Sequence, residues 1–383
     1  MVRLGIIGLG GMGRAHSGYL SKGEVAGAKL TAICDVSPDA LEWARVNLGE
    51  HLELFDNAEA LFASGAVDAV IISTPHYFHP PLAIAALKHG LHALVEKPAG
   101  VYTKQVREMN EAAAKSDKVL GIMFNQRTHG THQKMKEIVS SGELGEIKRV
   151  TYIITDWFRS QAYYDSGGWR ATWAGEGGGV LVNQCPHNLD LWQWICGRPS
   201  RVRAFCGFGK YHNIEVEDSV TAYVEYPNGA TGVFIATTGE APGTNSFEIA
   251  GDRGKLLLQG GKLTFWRTRE PVSTFLNTSK DGFAMQEIWK CEIPTPGGGD
   301  HIEITRNWIA AIVDGKPLLA RGEEGINSVE IANAILMSTW TDGWVNLPID
   351  EDKYYELLQE RIATSTYKKP EQASKALNFQ GTF

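Results

Sequence analysis

The chain has 383 residues, with 37 Lys plus Arg against 44 Asp plus Glu and a formal net charge of −7. That mild acidity argues against nucleic acid or an anionic membrane as the main partner, and the length is long for one core, so two domains are expected. Cys34, Cys185, Cys196, Cys206 and Cys291 are scattered and odd in number, the pattern of reduced thiols in a cytoplasmic protein.

The opening apolar run, Val2–Ile7, could pass for the start of a signal peptide, but glycines break it at once and no cleavage-site pattern follows. No stretch is long and apolar enough for a transmembrane helix. The run reads instead as a first strand entering a glycine turn, followed by a helix over residues 14–22. A second strand over 29–34 ends at Asp35, and Ser37-Pro38 opens a helix with serine as N-cap and proline at the first helical position. A third strand over 66–73 closes at Thr74-Pro75, and a helix over 80–89 stops at Gly90. His92–Val95 is the next strand, capped by Glu96-Lys97-Pro98, and a helix over 104–117 and a strand over 119–124 complete the series. Strands alternating with helices predict an α/β domain over residues 1–124 with a parallel, doubly wound sheet.

The rhythm changes after Phe124. A helix over 132–141 ends at Gly142, and strand-like runs then dominate at 148–155, 201–208, 220–226 and 230–238, with Pro227-Asn228-Gly229 as a hairpin turn. Residues 247–250 and 255–258 form a further hairpin pattern. Gly297-Gly298-Gly299 reads as a linker, and helical patterns return over 301–313 and 323–341. Residues 125–345 are therefore expected to form an α+β domain with a largely antiparallel sheet, and 346–383 a C-terminal extension packed back on the body.

In Gly8-Leu9-Gly10-Gly11-Met12-Gly13 the first glycine makes a tight turn, the second lets a pyrophosphate approach the backbone, and Gly13 permits close helix–strand packing. Asp35 stands 22 residues past Gly13 at the end of the second strand, placed for the adenosine ribose hydroxyls, which favours NAD over NADP. A lysine at the carboxyl end of a later strand of the same sheet, Lys97, should face the same crevice.

Several motifs resemble one family, the oxidoreductases named after glucose-fructose oxidoreductase, inositol dehydrogenase and MocA. They are the glycine loop at 8–13, Thr74-Pro75 with His79, Glu96-Lys97-Pro98, Asn125-Gln126-Arg127, Gly142-Glu143-Leu144-Gly145, and the block from Gly177-Gly178-Gly179 through Asn183 and His187 to Asp190. The resemblance runs from residue 2 to about 345. It implies a Rossmann domain joined to an open-faced antiparallel sheet domain, and a sugar, glycoside or cyclitol substrate. It also implies cofactor contacts from Thr74, Pro75, His79, Glu96, Lys97, Asn125 and Gln126, and a homodimer or homotetramer formed through the second sheet.

Oxidising a secondary alcohol requires a hydride acceptor, a base for the hydroxyl proton and donors for the developing oxyanion. Lys97 suits the last role and can share the second, because burial beside a positive nicotinamide lowers a lysine pKa. A strand-end lysine paired with Glu96 is the structural alternative. His187 follows Pro186 in the first turn of a helix, where the positive helix end disfavours imidazolium and leaves a neutral base. Many family members carry aspartate where this chain has Asn183, which orients a group but cannot accept a proton. Lys97 and His187 with Asn183 as orienter is therefore the expected arrangement. Asp190, one turn on, either buttresses His187 or holds a structural partner.

Residues 156–173 concentrate Trp157, Phe158, Tyr163, Tyr164, Trp169 and Trp173 with Arg159 and Arg170. Rings stack on sugar C–H faces and arginines bond hydroxyls, or hold a phosphate; core or oligomer packing uses the same residue types. His76 and His79 lack a third clustered ligand, so no metal is expected. A dehydrogenase of a sugar, glycoside or cyclitol leads. A glycosidase with bound, recycled NAD and transient C3 oxidation is a second class, and a non-catalytic dinucleotide-binding regulator a third.

Overall fold

The structure of the protein is a computed structural model that describes residues 1–369. Its first sheet is built from β1 (Val2–Ile7), β2 (Ala28–Cys34), β3 (Glu53–Phe55), β4 (Ala69–Ile72), β5 (His92–Val95) and β6 (Leu120–Ile122). All neighbours are parallel, in the order β3-β2-β1-β4-β5-β6. β4 is buried along its whole length, as a strand covered on both faces must be, which is why its sequence is a continuous apolar run rather than an alternation. The order reverses between β1 and β4, so the crevice at their carboxyl ends is the sheet's switch point. Ser37 Oγ accepts the Ala40 N–H at 3.4 Å and Pro38 opens the helix Pro38–Leu48. The short β3 and the helix Ala58–Ala63 have no counterpart among the expected elements, because only Leu61 and Phe62 of that helix are buried and its periodicity is brief.

The second sheet has nine strands: β7 (Ile147–Ile154), β8 (Arg201–Phe208), β9 (Glu217–Glu225), β10 (Thr231–Thr237), β11 (Asn245–Gly251), β12 (Gly254–Gln259), β13 (Lys262–Thr268), β14 (Ile288–Ile293) and β15 (Val345–Asn346). Their order is β14-β13-β12-β11-β7-β10-β9-β8-β15, antiparallel throughout except for the parallel β7–β10 pair. Along β9, Val220, Ala222 and Val224 are buried while Thr221 and Tyr223 are exposed, the alternation of a sheet covered on one face and open on the other. The covered face meets the helix Pro186–Cys196, where Trp192 stacks on Phe234 with centroids 5.3 Å apart.

β13, β14, β15 and the helices Gln161–Asp165 and Val272–Thr278 likewise have no counterpart among the expected elements, and two expected segments are placed differently. The helix His301–Asp314 follows the second sheet in sequence but buries Ile304, Trp308 and Ile309 in the core of the first, and Trp308 Nε1 donates to the Val119 carbonyl at 3.3 Å. Its apolar face is generic, and only the folded chain shows which sheet it covers. The glycine segment 297–299 is not a loose linker: Asn125 Nδ2 donates to the Gly299 carbonyl at 2.7 Å, and a Cβ on Gly299 would sit 2.1 Å from the His129 ring.

The helix Glu351–Thr364 buries Tyr354 and Leu358 in the second core, with Lys104 pairing Asp352 at 2.6 Å. Beyond it, Tyr367 Oη donates to the Asn213 carbonyl and Lys369 Nζ to the Arg170 carbonyl, each at 3.0 Å. Residues 370–383 of the expected C-terminal extension lie outside the described residues. Among the described residues, no helix is long and apolar enough to cross a membrane.

Because Trp308 is fully buried where the returning helix meets the first sheet, Trp308→Ala is expected to destabilise the protein by roughly 3–5 kcal/mol. Urea unfolding followed by tryptophan fluorescence and circular dichroism measures this, and a loss below about 1 kcal/mol would contradict the assigned packing.

Candidate functional site

One cavity of about 610 Å³ runs from the switch point of the first sheet to the second domain, within the usual size of a ligand site. Gly8, Gly10, Gly11, Met12 and Asp35 line one end, Thr74, Pro75, His76 and His79 the middle, and Glu96 and Lys97 the turn into the other end. There Trp157, Arg159, Tyr163, Trp169, Arg170, Asn183, Gln184 and His187 complete the wall. Residues far apart in sequence are thus brought to one surface.

The glycine end has the shape a dinucleotide phosphate needs. Gly8 has φ +89°, and a Cβ there would meet the Ser73 carbonyl oxygen at 2.8 Å; a Cβ on Gly13 would stand 2.0 Å from the Gly8 oxygen. Glycine is required at both positions by strand–helix closeness. A Cβ on Gly10, by contrast, meets nothing within 4 Å, so the backbone there faces open space at the start of the helix Gly11–Ser21, where N–H groups and the helix dipole favour an anion. Asp35 Oδ2 accepts the Leu9 N–H at 2.6 Å and Oδ1 the Ser37 N–H at 2.8 Å, which holds the carboxylate at the cavity edge. These residues fit a dinucleotide.

At the other end, Lys97 Nζ donates to the Asn183 carbonyl at 3.2 Å. Burial pulls the Lys97 pKa below its ordinary value, with the nearby Glu96 opposing and Arg170 and Arg159 assisting the fall. Glu96 is itself buried: burial acts to raise its pKa, but the bond from His16 Nε2 at 2.7 Å and the surrounding histidines and Lys97 outweigh it and hold the carboxyl at about 2. His16 Nδ1 in turn lies 2.6 Å from Tyr19 Oη, so the glycine-loop helix is tied to the strand end that presents Lys97.

His187 is buried, and neither ring nitrogen has a hydrogen-bond partner among the described residues. Burial pushes its pKa well below 6.5, with the Lys97 charge adding to the fall, so the ring is neutral. Asn183 donates its amide to Glu176 and its Oδ1 accepts from Tyr163 Oη. Gln184 Nε2 donates to the same Tyr163 oxygen at 2.9 Å. Orphaned buried polar atoms collect on this wall: Thr74 Oγ1, His76 Nδ1, Arg159 Nε, Gln184 Oε1 and both nitrogens of His187. Buried polar groups are normally bonded, and a cluster of unbonded ones facing one cavity marks a polar ligand surface.

Trp173, Gly13, Asn125 and Gln126 are not among the residues that line the cavity. Trp173 is a core residue, with ring centroids 5.7 Å from Phe208 and 5.5 Å from Trp340. Gly13 packs beneath the loop, and Asn125 and Gln126 lie outside the cavity lining, Asn125 bonded to Gly299. His79 lines the cavity, but its ring is braced between the carbonyls of Pro98 and Thr74 at 2.7 and 2.8 Å. Asp190 does not buttress His187: its two oxygens accept Arg127 Nη2 and Nε at 2.6 and 2.7 Å. Sequence reasoning missed the roles of His16, Gln184 and Glu176. His16 is 80 residues from its partner Glu96, a separation with no local signal. Among the described residues, no group of three or more His, Cys, Asp or Glu is arranged to hold a metal ion.

A Rossmann sheet whose switch-point crevice opens onto a lysine, a neutral histidine and a polar wall from a second domain is the build of a two-domain dinucleotide-dependent oxidoreductase. The chain belongs to the glucose-fructose oxidoreductase, inositol dehydrogenase and MocA family: residues 2–124 match the oxidoreductase family's NAD-binding Rossmann fold and residues 132–257 the GFO/IDH/MocA C-terminal domain. Levoglucosan dehydrogenase of Pseudarthrobacter phenanthrenivorans is 25% identical over 91% of this chain and 98% of its own. D-glucoside 3-dehydrogenase of Escherichia coli is 29% identical over 60% of this chain and 68% of its own. Among solved structures, the WlbA dehydrogenase of Bordetella pertussis in complex with NADH and UDP-GlcNAcA has a TM-score of 0.76 at 27% identity, covering 91% of this chain and 99% of its own.

The buried histidines set a pH dependence of stability. Burial lowers His76 and His187 well below 6.5, lowers His79, and brings His132 and His301 to about 4. Between pH 6.5 and about 5 the rings of His76, His187, His132 and His301 stay neutral in the fold but protonate when exposed, so the unfolded chain binds more protons and stability falls as pH falls, opposed in part by the Glu217 carboxyl, which burial raises to about 7. Unfolding at pH 5.5 is expected to take up roughly two to four protons. The urea midpoint measured from pH 8 to 5 should drop accordingly, and a flat profile would refute neutral burial. Glu96 acts lower, contributing stability above 4.5 that is lost as pH falls toward 2.

Proposed function

We propose that the protein oxidises a secondary hydroxyl of a sugar, glycoside or cyclitol with NAD as hydride acceptor, Lys97 and His187 handling the proton. The observation that carries this is the orphaned polar wall opposite Lys97, in the same cavity as the glycine loop. Relatives named for levoglucosan, glucoside and inositol oxidation support the substrate class. Asp35 at the cavity edge favours NAD, since a carboxylate accepts ribose hydroxyls and repels a 2′-phosphate.

The nicotinamide, when bound, supplies the hydride acceptor. Lys97 donates to the reacting oxygen and steadies its developing negative charge. His187, kept neutral by burial, accepts the hydroxyl proton. Asn183, held from both ends by Glu176 and Tyr163, fixes the wall against which the ring is oriented. Trp157 and Trp169 offer faces for the sugar's C–H groups.

The test is NADH formation by the purified protein with free NAD or NADP across monosaccharides, inositols, anhydrosugars and glycosides. Turnover on one subset is expected with NAD. Lys97→Ala and His187→Ala should each lower kcat by about 10²–10⁴ while NADH binding persists. Release of aglycone from a chromogenic glycoside without net NADH would replace this reading by the recycled-cofactor glycosidase, and NAD binding without chemistry by the regulator.

The open face of the second sheet is proposed to pair copies of the chain as a homodimer or homotetramer. Phe205, Tyr223 and Trp344 are 62%, 39% and 46% exposed, and Tyr223 and Trp344 lie edge to face with centroids 5.8 Å apart, an apolar patch of the kind that marks an interface. Light scattering of the wild type should give a multiple of the chain mass, reduced in a Phe205→Glu/Tyr223→Glu double variant. A monomeric wild type would reject the assignment.

A further inference from the structure

The substrate end of the cavity carries a positive charge that its own acids do not answer. Lys97 follows the ionised Glu96. Arg170 donates to Tyr163 Oη at 2.7 Å and lies 4.0 Å from Glu176. Arg159 differs. It lines the same wall, yet forms no ion pair among the described residues, which contain Arg–acid pairs at many other positions. Its Nη1 donates to the Phe158 carbonyl at 3.0 Å, and its buried Nε has no acceptor among the described residues.

Two aromatic rings surround that guanidinium, and it shares a hydrogen bond with the Tyr163 hydroxyl. Its carbon lies 5.2 Å from the Trp157 ring and 5.0 Å from the Tyr163 ring. Aromatic rings on the flat sides hold an arginine by cation–π attraction and leave its edge donors to bond. A guanidinium edge matches the paired oxygens of a carboxylate or a phosphoryl group far better than a single hydroxyl. The site is also close to the chemistry: Arg159 and Arg170 both act on the charge of Lys97.

We propose that the substrate is an acidic sugar, whose carboxylate or phosphoryl substituent bonds the edge of Arg159 between Trp157 and Tyr163. The inference rests on the sugar-oxidation reading and narrows its substrate class. An oxyanion there would offset the repulsion that Arg159 exerts on Lys97, so that Lys97 keeps its donating proton to higher pH with an acidic substrate than with a neutral one.

The test titrates the NADH-loaded full chain, followed by NADH fluorescence, with D-glucuronate, glucose 6-phosphate and methyl glucoside at low and high salt. One acidic ligand is expected to bind roughly tenfold or more tighter than the neutral glycoside, with the advantage reduced by salt. That ratio should collapse in Arg159→Gln and be partly kept in Arg159→Lys. Which acid binds distinguishes the carboxylate from the phosphoryl source. Equal or tighter binding of the neutral glycoside, no binding of either acid, or an acid preference unchanged in Arg159→Gln would each overturn the proposal. Acid binding that depends on Arg159 without NADH formation from any sugar would leave the oxyanion site at Arg159 standing and remove the oxidation reading, and with it the assignment of the acid as substrate.

Discussion

The geometry of the candidate site depends on one buried ion pair between the two halves of the chain. Arg127 sits in the turn Asn125–Thr128 that follows β6, and Asp190 on the helix Pro186–Cys196. Both side chains are essentially inaccessible, at 0% and 1% exposure. The guanidinium spans both carboxylate oxygens, and its remaining nitrogen reaches the Leu319 carbonyl at 3.0 Å and Glu324. Burial alone would lower the Arg127 pKa, but the attraction of Asp190 and Glu324 raises it above its ordinary value. Such a pair adds little net stability, since desolvating two charges costs several kcal/mol each. What it supplies is direction: a planar fork accepts a carboxylate in one orientation. The helix is thereby docked with its first turn, and therefore His187, beside the end of β5 from which Lys97 projects.

A second buried carboxylate does the same for the cofactor side. Glu96 takes His16 from the glycine-loop helix and the Lys97 backbone N–H at 3.1 Å. The glycine loop and the lysine at the far end of the cavity are thus referred to one anchor. The same dryness that makes these anchors strong keeps His187 neutral and lowers Lys97. Low dielectric is what lowers both groups, since burial penalises the charged form of each.

Much of this was legible in the chain. Alternating strands and helices foretell the first sheet, because a strand covered on both faces is apolar throughout and a glycine loop leaves few other conformations. The alternation along 220–226 likewise foretells a sheet with one open face. Trp173 was not separable from Trp157 and Trp169, since all three fall in one aromatic stretch and differ only in the direction each side chain takes. Asp190, three residues past His187, was equally ambiguous: helical spacing places both near one face, but only the arrival of Arg127 decides what the acid bonds. The helix His301–Asp314 has an apolar stripe that suits either sheet.

By itself, then, the sequence determined most of the local conformations, the two sheet types and the residue types suited to handling a proton, because these follow from backbone restriction, periodicity and side-chain chemistry within short windows. The tertiary structure alone decided which of those residues share a cavity, which acids pair with arginines, and that Arg159 has no ion-pair partner among the described residues. Those outcomes depend on contacts between segments tens to hundreds of residues apart, such as His16 with Glu96 and Arg127 with Asp190. No local pattern encodes them, since each partner's own neighbourhood reads the same whether or not the other arrives.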